Sequence, residues 1–406
     1  MPEASPRVVV TGLGAVTPVG GTAAETWASM LAGRSGIAAL DADWAQDLPV
    51  RMAGRVLADV ASQLTTPEFK RMDRCGHLAL VAAREAWAQA GRPQADPERL
   101  AVVIGSGYGG LDTTLEQTRT LDASGPRRVS PHTLTRIMAN APAAWVSIDV
   151  GARGGARTPV SACASGAEAI SQAADMIRAG AADVVIAGGV DSCINGLILS
   201  GFAQIRALST RNTDPQSASR PFDRDRDGFV LAEGAAVLVL EREDHALARG
   251  ADILGVVAGT AVTSDAVDIV AADPAMQRRV MEKAIAAAGL EPHDIGLVHA
   301  HATSTPVGDR LEAEAINAVL GNQVPVTSTK SLTGHLLGGA GALGAVVMVQ
   351  ALRTGALPGT TNLDEPGEGI DLNLVRTTAT GLPATAGIAN AFGFGGHSTA
   401  LVITGS

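Results

Sequence analysis

Short apolar runs that break at glycine and give way to helical spacing recur along this chain, and they restrict it to one class of fold. Residues 7–15 read Arg-Val-Val-Val-Thr-Gly-Leu-Gly-Ala, and residues 22–32 that follow have helical periodicity. The alternation continues with an alanine-rich amphipathic helix over 73–91, a strand at 100–107, an elbow and helix over 161–180, and strands at 183–189 and 235–241. After the charged stretch 241–249 the pattern restarts. Strand-like runs at 253–258, 296–300, 386–391 and 399–404 alternate with helices over 274–289, 309–320 and 338–354. Continuously apolar strands are buried on both faces, so an α/β protein with largely parallel sheets is expected. Two successive sets predict a duplicated layout, with one half at 1–250 and the other at 251–406.

A chain of 406 residues exceeds the usual span of one hydrophobic core, which again favours two closely packed halves. Only 3% of the residues are aromatic while 47 are glycine, so alanine, valine and glycine fill the interior and elements approach closely. The net charge of −10, with no basic tract, argues against a nucleic-acid partner. Three cysteines, at 75, 163 and 193, make no disulfide framework and fit a reducing compartment. Residues 1–7 are short and polar and resemble no targeting peptide, and no apolar stretch is read as long enough to insert in a membrane. A cytoplasmic protein is expected. The glycine clusters at 20–21 and 105–110 lack the Lys-Ser/Thr and acidic partners of nucleotide loops.

Chemistry concentrates in four segments. The first is Thr158-Pro-Val-Ser-Ala-Cys-Ala-Ser-Gly-Ala-Glu-Ala-Ile170, which places Cys163 where a strand-like run turns into a helix. Free N–H groups and the dipole at a helix start favour a thiolate, and the small neighbours leave room for a substrate. A lone cysteine is more often a small buried hydrophobe. The remaining segments are Val298-His-Ala-His-Ala-Thr-Ser-Thr-Pro-Val-Gly-Asp309, Ser328-Thr-Lys-Ser-Leu-Thr-Gly-His335 and Asn390-Ala-Phe-Gly-Phe-Gly-Gly-His397. Each histidine taken singly is more often structural, and 299, 301 and 335 together invite a metal reading, but no carboxylate or cysteine stands at ligand spacing.

In this order and over nearly the whole chain, the four segments resemble the elongating β-ketoacyl-acyl-carrier-protein synthases, the condensing enzymes of fatty-acid and polyketide synthesis. The resemblance implies the thiolase fold, two duplicated halves in an α-β-α-β-α arrangement. It implies a decarboxylative Claisen condensation between malonyl-carrier and an acyl group held on Cys163, with His301 and His335 as the paired histidines. Lys330 matches the family's buried lysine and Glu312 the glutamate that pairs with it. The backbone of Phe394, with that of Cys163, matches the oxyanion hole and gate. Thr303 and Thr305 match residues that bind the phosphopantetheine arm, and Tyr108 and Phe202 match the acyl pocket. Lys70, Arg71, Arg127, Arg128 and Arg206 match the basic rim that receives an acidic acyl carrier protein. No cofactor and no metal is implied, since phosphopantetheine arrives on the carrier.

The family's assembly is a homodimer, or a heterodimer with a related subunit. Fatty-acid elongation is the first reading. The alternative is the condensing subunit of a dissociated polyketide synthase working with a cysteine-less sister chain. Thiolases need a late second cysteine that this chain lacks, and His335 distinguishes it from the initiating synthases. Departures from the family pattern fall at His299, Ala302, Asp268, Val270, His397 and Ser398, mostly at the substrate entrance.

Overall fold

The structure is a computed structural model that describes residues 6–270 and 273–406. Its centre is an 11-stranded array that folds into two sheets. The first contains, in spatial order, Val8–Val16, Gly234–Arg242, Val184–Asp191, Leu100–Gly105 and Ala156–Arg157. The second runs Gly255–Ser264, His397–Thr404, Ala386–Gly393, Leu297–His299, Pro325–Thr327 and Asn373–Leu374. They join through two residue pairs, Val9 with Val256 and Val10 with Gly255.

Five layers result. Arg74–Gln89 and Ala141–Val150 cover the outer face of the first sheet, and Pro274–Ala287 covers the second with Pro306–Leu320 packed beside it. Ser165–Arg178 and Ala340–Thr354 lie between the sheets and touch strands of both. The α-β-α-β-α arrangement expected for the thiolase fold is therefore present.

Small residues allow this closeness. A Cβ on Gly12 or Gly14 would overlap the carbonyl oxygens of Ala86 and Ala82, so the helix Arg74–Gln89 rests its backbone directly on the first strand. Between the sheets, a Cβ on Gly166 would come within 2.6 Å of the Gly338 carbonyl, and one on Gly341 within 2.8 Å of Ala167. These contacts set the distance between the nucleophile's helix and the turn after His335.

Two expectations change. The sheets are mixed, since five of the ten strand pairings are antiparallel. Helical crossovers make the flanking pairs parallel, whereas the hairpin Ala386–Gly393/His397–Thr404 and the insertion of Gly234–Arg242 make the middle antiparallel. Residues Leu337–Thr354 are also long and apolar enough to cross a membrane, contrary to the sequence reading. They are mostly buried between the sheets, where an all-round apolar helix belongs.

Candidate active site

Cys163 sits in the 3₁₀ turn Ala162–Ala164 that opens into the helix Ser165–Arg178. Ala162 has φ of +49°, a left-handed conformation costly for alanine. Ser165 pins it: the Ser161 N–H donates to its Oγ at 3.0 Å, and that hydroxyl donates to the Ala162 carbonyl at 2.7 Å. Cys163 thereby faces a cavity of about 490 Å³ that His301, His335, Glu312, Thr303, Thr305, Phe202, Arg206 and Phe394 also line.

His301 lies two residues past the strand Leu297–His299. The Glu312 carboxylate holds its backbone, accepting the His301 N–H at 2.7 Å and the Ala302 N–H at 2.6 Å, with the Asn390 amide at 3.2 Å. His335 follows the short helix Lys330–Thr333 and Gly334, whose φ of +72° suits glycine. Its N–H donates to Val230 and its carbonyl accepts from Ala232. The imidazoles stand edge-to-face with centroids 5.3 Å apart, bracketed by Phe392 and Phe229.

Burial, reinforced by the positive Lys330, holds both imidazoles well below the ordinary histidine pKa, so both are neutral at physiological pH. Burial lowers Lys330 to about 8 although Glu312 opposes the shift, and raises Glu312 to about 7 although its backbone donors oppose it. Among the described residues no ion pair joins Lys330 to Glu312, which corrects the expected contact pair. Glu312 is spent on the backbone of His301 and Ala302 and feels Lys330 only through space.

The expected thiolate is also corrected. Burial, then Asp191, pushes the Cys163 thiol up to about 12, and Lys330 only partly counters this. Desolvation by burial outweighs one helix terminus, so Cys163 rests as a thiol.

Gly393 abuts the nucleophile's backbone, where a Cβ would meet the Ser161 carbonyl at 2.5 Å and the Cys163 nitrogen at 3.1 Å. Phe394 follows Gly393 in the hairpin turn and lines the cavity, and Gly395 and Gly396 turn the chain at φ of +84° and +73°. The Thr303 and Thr305 hydroxyls lie 3.2 Å apart on the cavity wall. The ring of Phe202 stands 5.1 Å from Phe229 and 6.4 Å from Phe394.

Other predicted residues lie elsewhere. Tyr108 does not line the cavity and is 39% exposed, although partial burial raises its phenol to about 12. Lys70, Arg71, Arg127 and Arg128 lie on exposed segments away from the cavity, and only Arg206 of the five basic residues reaches its mouth. His299 faces the helix Ala340–Thr354 and contacts the Thr329 hydroxyl at 2.9 Å, so it shares no site with His301 and His335. Among the entrance departures, Val270, His397 and Ser398 line the cavity.

Sequence reasoning missed Asp191. This fully buried carboxylate ends the apolar strand Val184–Asp191. It accepts from Ser106 Oγ at 2.8 Å, Gly338 N–H at 2.7 Å, and the Gly107 and Tyr108 N–H groups. An acidic residue closing a wholly apolar strand was the available signal. Asp191→Ala leaves these donors without partners and is expected to cost about 3 kcal/mol or more, at roughly 1–3 kcal/mol per orphaned group. Urea unfolding measures this loss, and an unchanged midpoint would contradict it.

Comparisons agree with this geometry. Residues 5–246 match the family described as Beta-ketoacyl synthase, N-terminal domain, and residues 254–364 its C-terminal domain. The chain is 44% identical to 3-oxoacyl-[acyl-carrier-protein] synthase 2 of Mycobacterium tuberculosis, over 98% of this chain and 97% of that protein. It is 42% identical to the Synechocystis protein of the same name, over 97% of each. A β-ketoacyl synthase from Burkholderia phymatum superposes with a TM-score of 0.93 at 33% identity, covering 99% of this chain and 100% of that one. A type II polyketide ketosynthase solved with its acyl-carrier protein and a hexaketide superposes at 0.91 and 28% identity, covering 99% and 100%. With Cys163, His301, His335 and the glycine-rich turn gathered around one cavity, and both family domains matched in order, this chain belongs to the β-ketoacyl synthase family.

Proposed function

We propose that the protein is a 3-oxoacyl-[acyl-carrier-protein] synthase that elongates acyl chains in fatty-acid synthesis. The observation that carries this reading is two neutral imidazoles, 5.3 Å apart, sharing a cavity with one accessible thiol. Cys163 Sγ attacks the thioester carbonyl of an acyl-carrier, and the carrier's thiol leaves with the proton. Malonyl-carrier then binds with its thioester oxygen against the imidazole N–H groups of His301 and His335. Its carbon–carboxylate bond breaks, carbon dioxide departs, and the electron pair moves onto that oxygen as an enolate. Neutral donors suit this step because they stabilise charge that exists only as the bond breaks. The enolate carbon attacks the acyl–Cys163 carbonyl, whose oxyanion the backbone N–H groups of Cys163 and Phe394 receive. Collapse releases the 3-oxoacyl-carrier and expels Cys163 as a thiolate, which takes a proton from solvent to become the thiol again.

This chemistry requires no cofactor or metal held by the chain, since phosphopantetheine comes with the carrier. The three unpaired cysteines suit a cytoplasmic setting, and the proposed working unit is a homodimer or a heterodimer with a related subunit, as in the family. Incubation with acyl-carriers of graded length and malonyl-carrier tests the function. Intact-mass detection of an acyl group on Cys163, with one 3-oxo product two carbons longer, supports elongation. Absence of acylation from every donor sinks the proposal.

Polyketide assembly is the second reading, favoured by the fold shared with the ishigamide ketosynthase/chain length factor at 30% identity. It predicts several condensations on one chain, and only with a sister subunit present.

The carrier is acidic, so docking uses the exposed cations Lys70, Arg71, Arg127, Arg128 and Arg206 against the net charge of −10. Raising ionic strength weakens such contacts. Arg206→Glu is expected to raise KM for the carrier about fivefold or more while kcat falls less than twofold. Salt-independent kinetics with an unchanged KM would remove the patch.

A further inference from the structure

Two side chains lining the cavity carry a buried polar atom with no hydrogen-bond partner among the described residues: His335 through Nδ1 and Gln277 through Oε1. The reaction accounts for His335. Gln277 is not used by the chemistry, yet it is only 3% exposed and belongs to the first turn of the helix Pro274–Ala287, which packs on Gly255–Ser264 and His397–Thr404. Beneath that helix, Ser398 lines the same cavity and lies directly across from Thr263, whose hydroxyl is likewise buried without a partner. A buried carboxamide left unpaired costs stability, so its retention at a cavity wall points to a group that enters and satisfies it.

The charges on the wall narrow the chemistry. Asp265 and Asp273 line the cavity at this end, and the Asp273 carbonyl accepts the Gln277 backbone N–H. An anion is therefore a poor partner for the Gln277 niche itself, while the malonyl carboxylate sits at the histidine end. The niche suits a neutral group that donates and accepts together. A carboxamide pairs with a secondary amide in both directions, its oxygen taking the N–H and its NH₂ meeting the carbonyl. The arm that must reach Cys163 carries two secondary amides.

We propose that Gln277 is a positioning residue that pairs its carboxamide with one secondary amide of the carrier's phosphopantetheine arm, across the cavity from Thr303 and Thr305. This rests on the cavity being the carrier arm's entrance. Fixing the arm there sets how far its thioester reaches toward His301 and His335, so Gln277 governs extender binding without touching the reacting atoms.

The test uses malonyl-pantetheine and two analogues, each with one amide N–H replaced by an ester oxygen, on the full chain and its Gln277→Leu and Gln277→Met variants. In the unaltered enzyme, one analogue is expected to raise KM about tenfold with kcat within twofold. The Leu variant should raise KM for the parent compound about tenfold and be indifferent to that same analogue. Equal sensitivity to both analogues in enzyme and variant, or an unchanged KM in the variant, overturns the pairing and leaves an ordered water as the partner. If the Leu variant fails to melt cooperatively, the Met variant gives the same readout with a flexible apolar chain. Transfer to Cys163 from an acyl ethyl thioester, which has no amide, is the control. Its absence in the unaltered enzyme sinks the condensing reading itself, whereas its persistence without any analogue effect sinks only the role of Gln277.

Discussion

Cys163→Ala is expected to eliminate condensation, with product formation down by at least roughly 10³-fold, while malonyl-carrier decarboxylation survives. The two activities separate because different residues serve them. Among the cysteines, 75 and 193 are buried and only Cys163 reaches the cavity, so no other thiol can hold the acyl chain. His301 and His335 are anchored by Glu312 and by Val230 and Ala232, none of which depends on the sulfur. Decarboxylation followed as carbon dioxide release, beside 3-oxo product by mass spectrometry, gives both numbers in one reaction. An alanine variant that still lengthens an acyl chain would dispose of the covalent mechanism.

Replacing either histidine with alanine should lower decarboxylation by about 10²–10³-fold, the usual loss for one donor to a developing oxyanion, while acylation of Cys163 stays measurable. The pH dependence provides a sharper check. Burial and then Lys330 depress both imidazoles, so neither titrates through pH 6–7.5 as an ordinary histidine would, and a limb in that window belongs to Glu312, raised to about 7 by burial. Lys330, lowered to about 8, loses its charge as pH rises through that value, which places an alkaline limb there if its charge matters. In Lys330→Met the repulsion on each imidazolium is gone, so the histidine pKa values rise. Protonation then removes a neutral donor at higher pH, and the acid limb moves upward. Rates from pH 5 to 9 decide the matter, and an acid limb that does not move with Lys330→Met refutes the coupling.

Much of the architecture was legible because most of the long central strands are buried on both faces. A segment such as Val184–Asp191 must then be continuously apolar, which marks it without an alignment. Helix extents were read closely for the same reason; the expected 73–91 is observed as Arg74–Gln89. Strand direction was not legible. Whether Gly234–Arg242 runs with or against Val184–Asp191 depends on a connection that local periodicity does not encode.

The candidate site shows the same division. Cys163, His301, Lys330, His335 and Phe394 were singled out by the family resemblance of their segments, since each type taken alone is more often structural. What each does in place was decided by its surroundings. A helix terminus alone favours a thiolate, yet burial and Asp191, more than a hundred residues from Gly338 but bonded to it, hold Cys163 as a thiol. The resemblance implied that Glu312 pairs with Lys330, yet the fold turns the carboxylate onto two backbone N–H groups. Tyr108 and Gln277 exchanged prominence, the first lying off the cavity and the second on its wall. By itself the sequence determined which chemical groups the protein possesses and the alternation that folds them into layers. Distances, burial and hydrogen-bond partners arise between segments far apart in the chain, so only the tertiary structure decided the protonation of those groups and which of them meet.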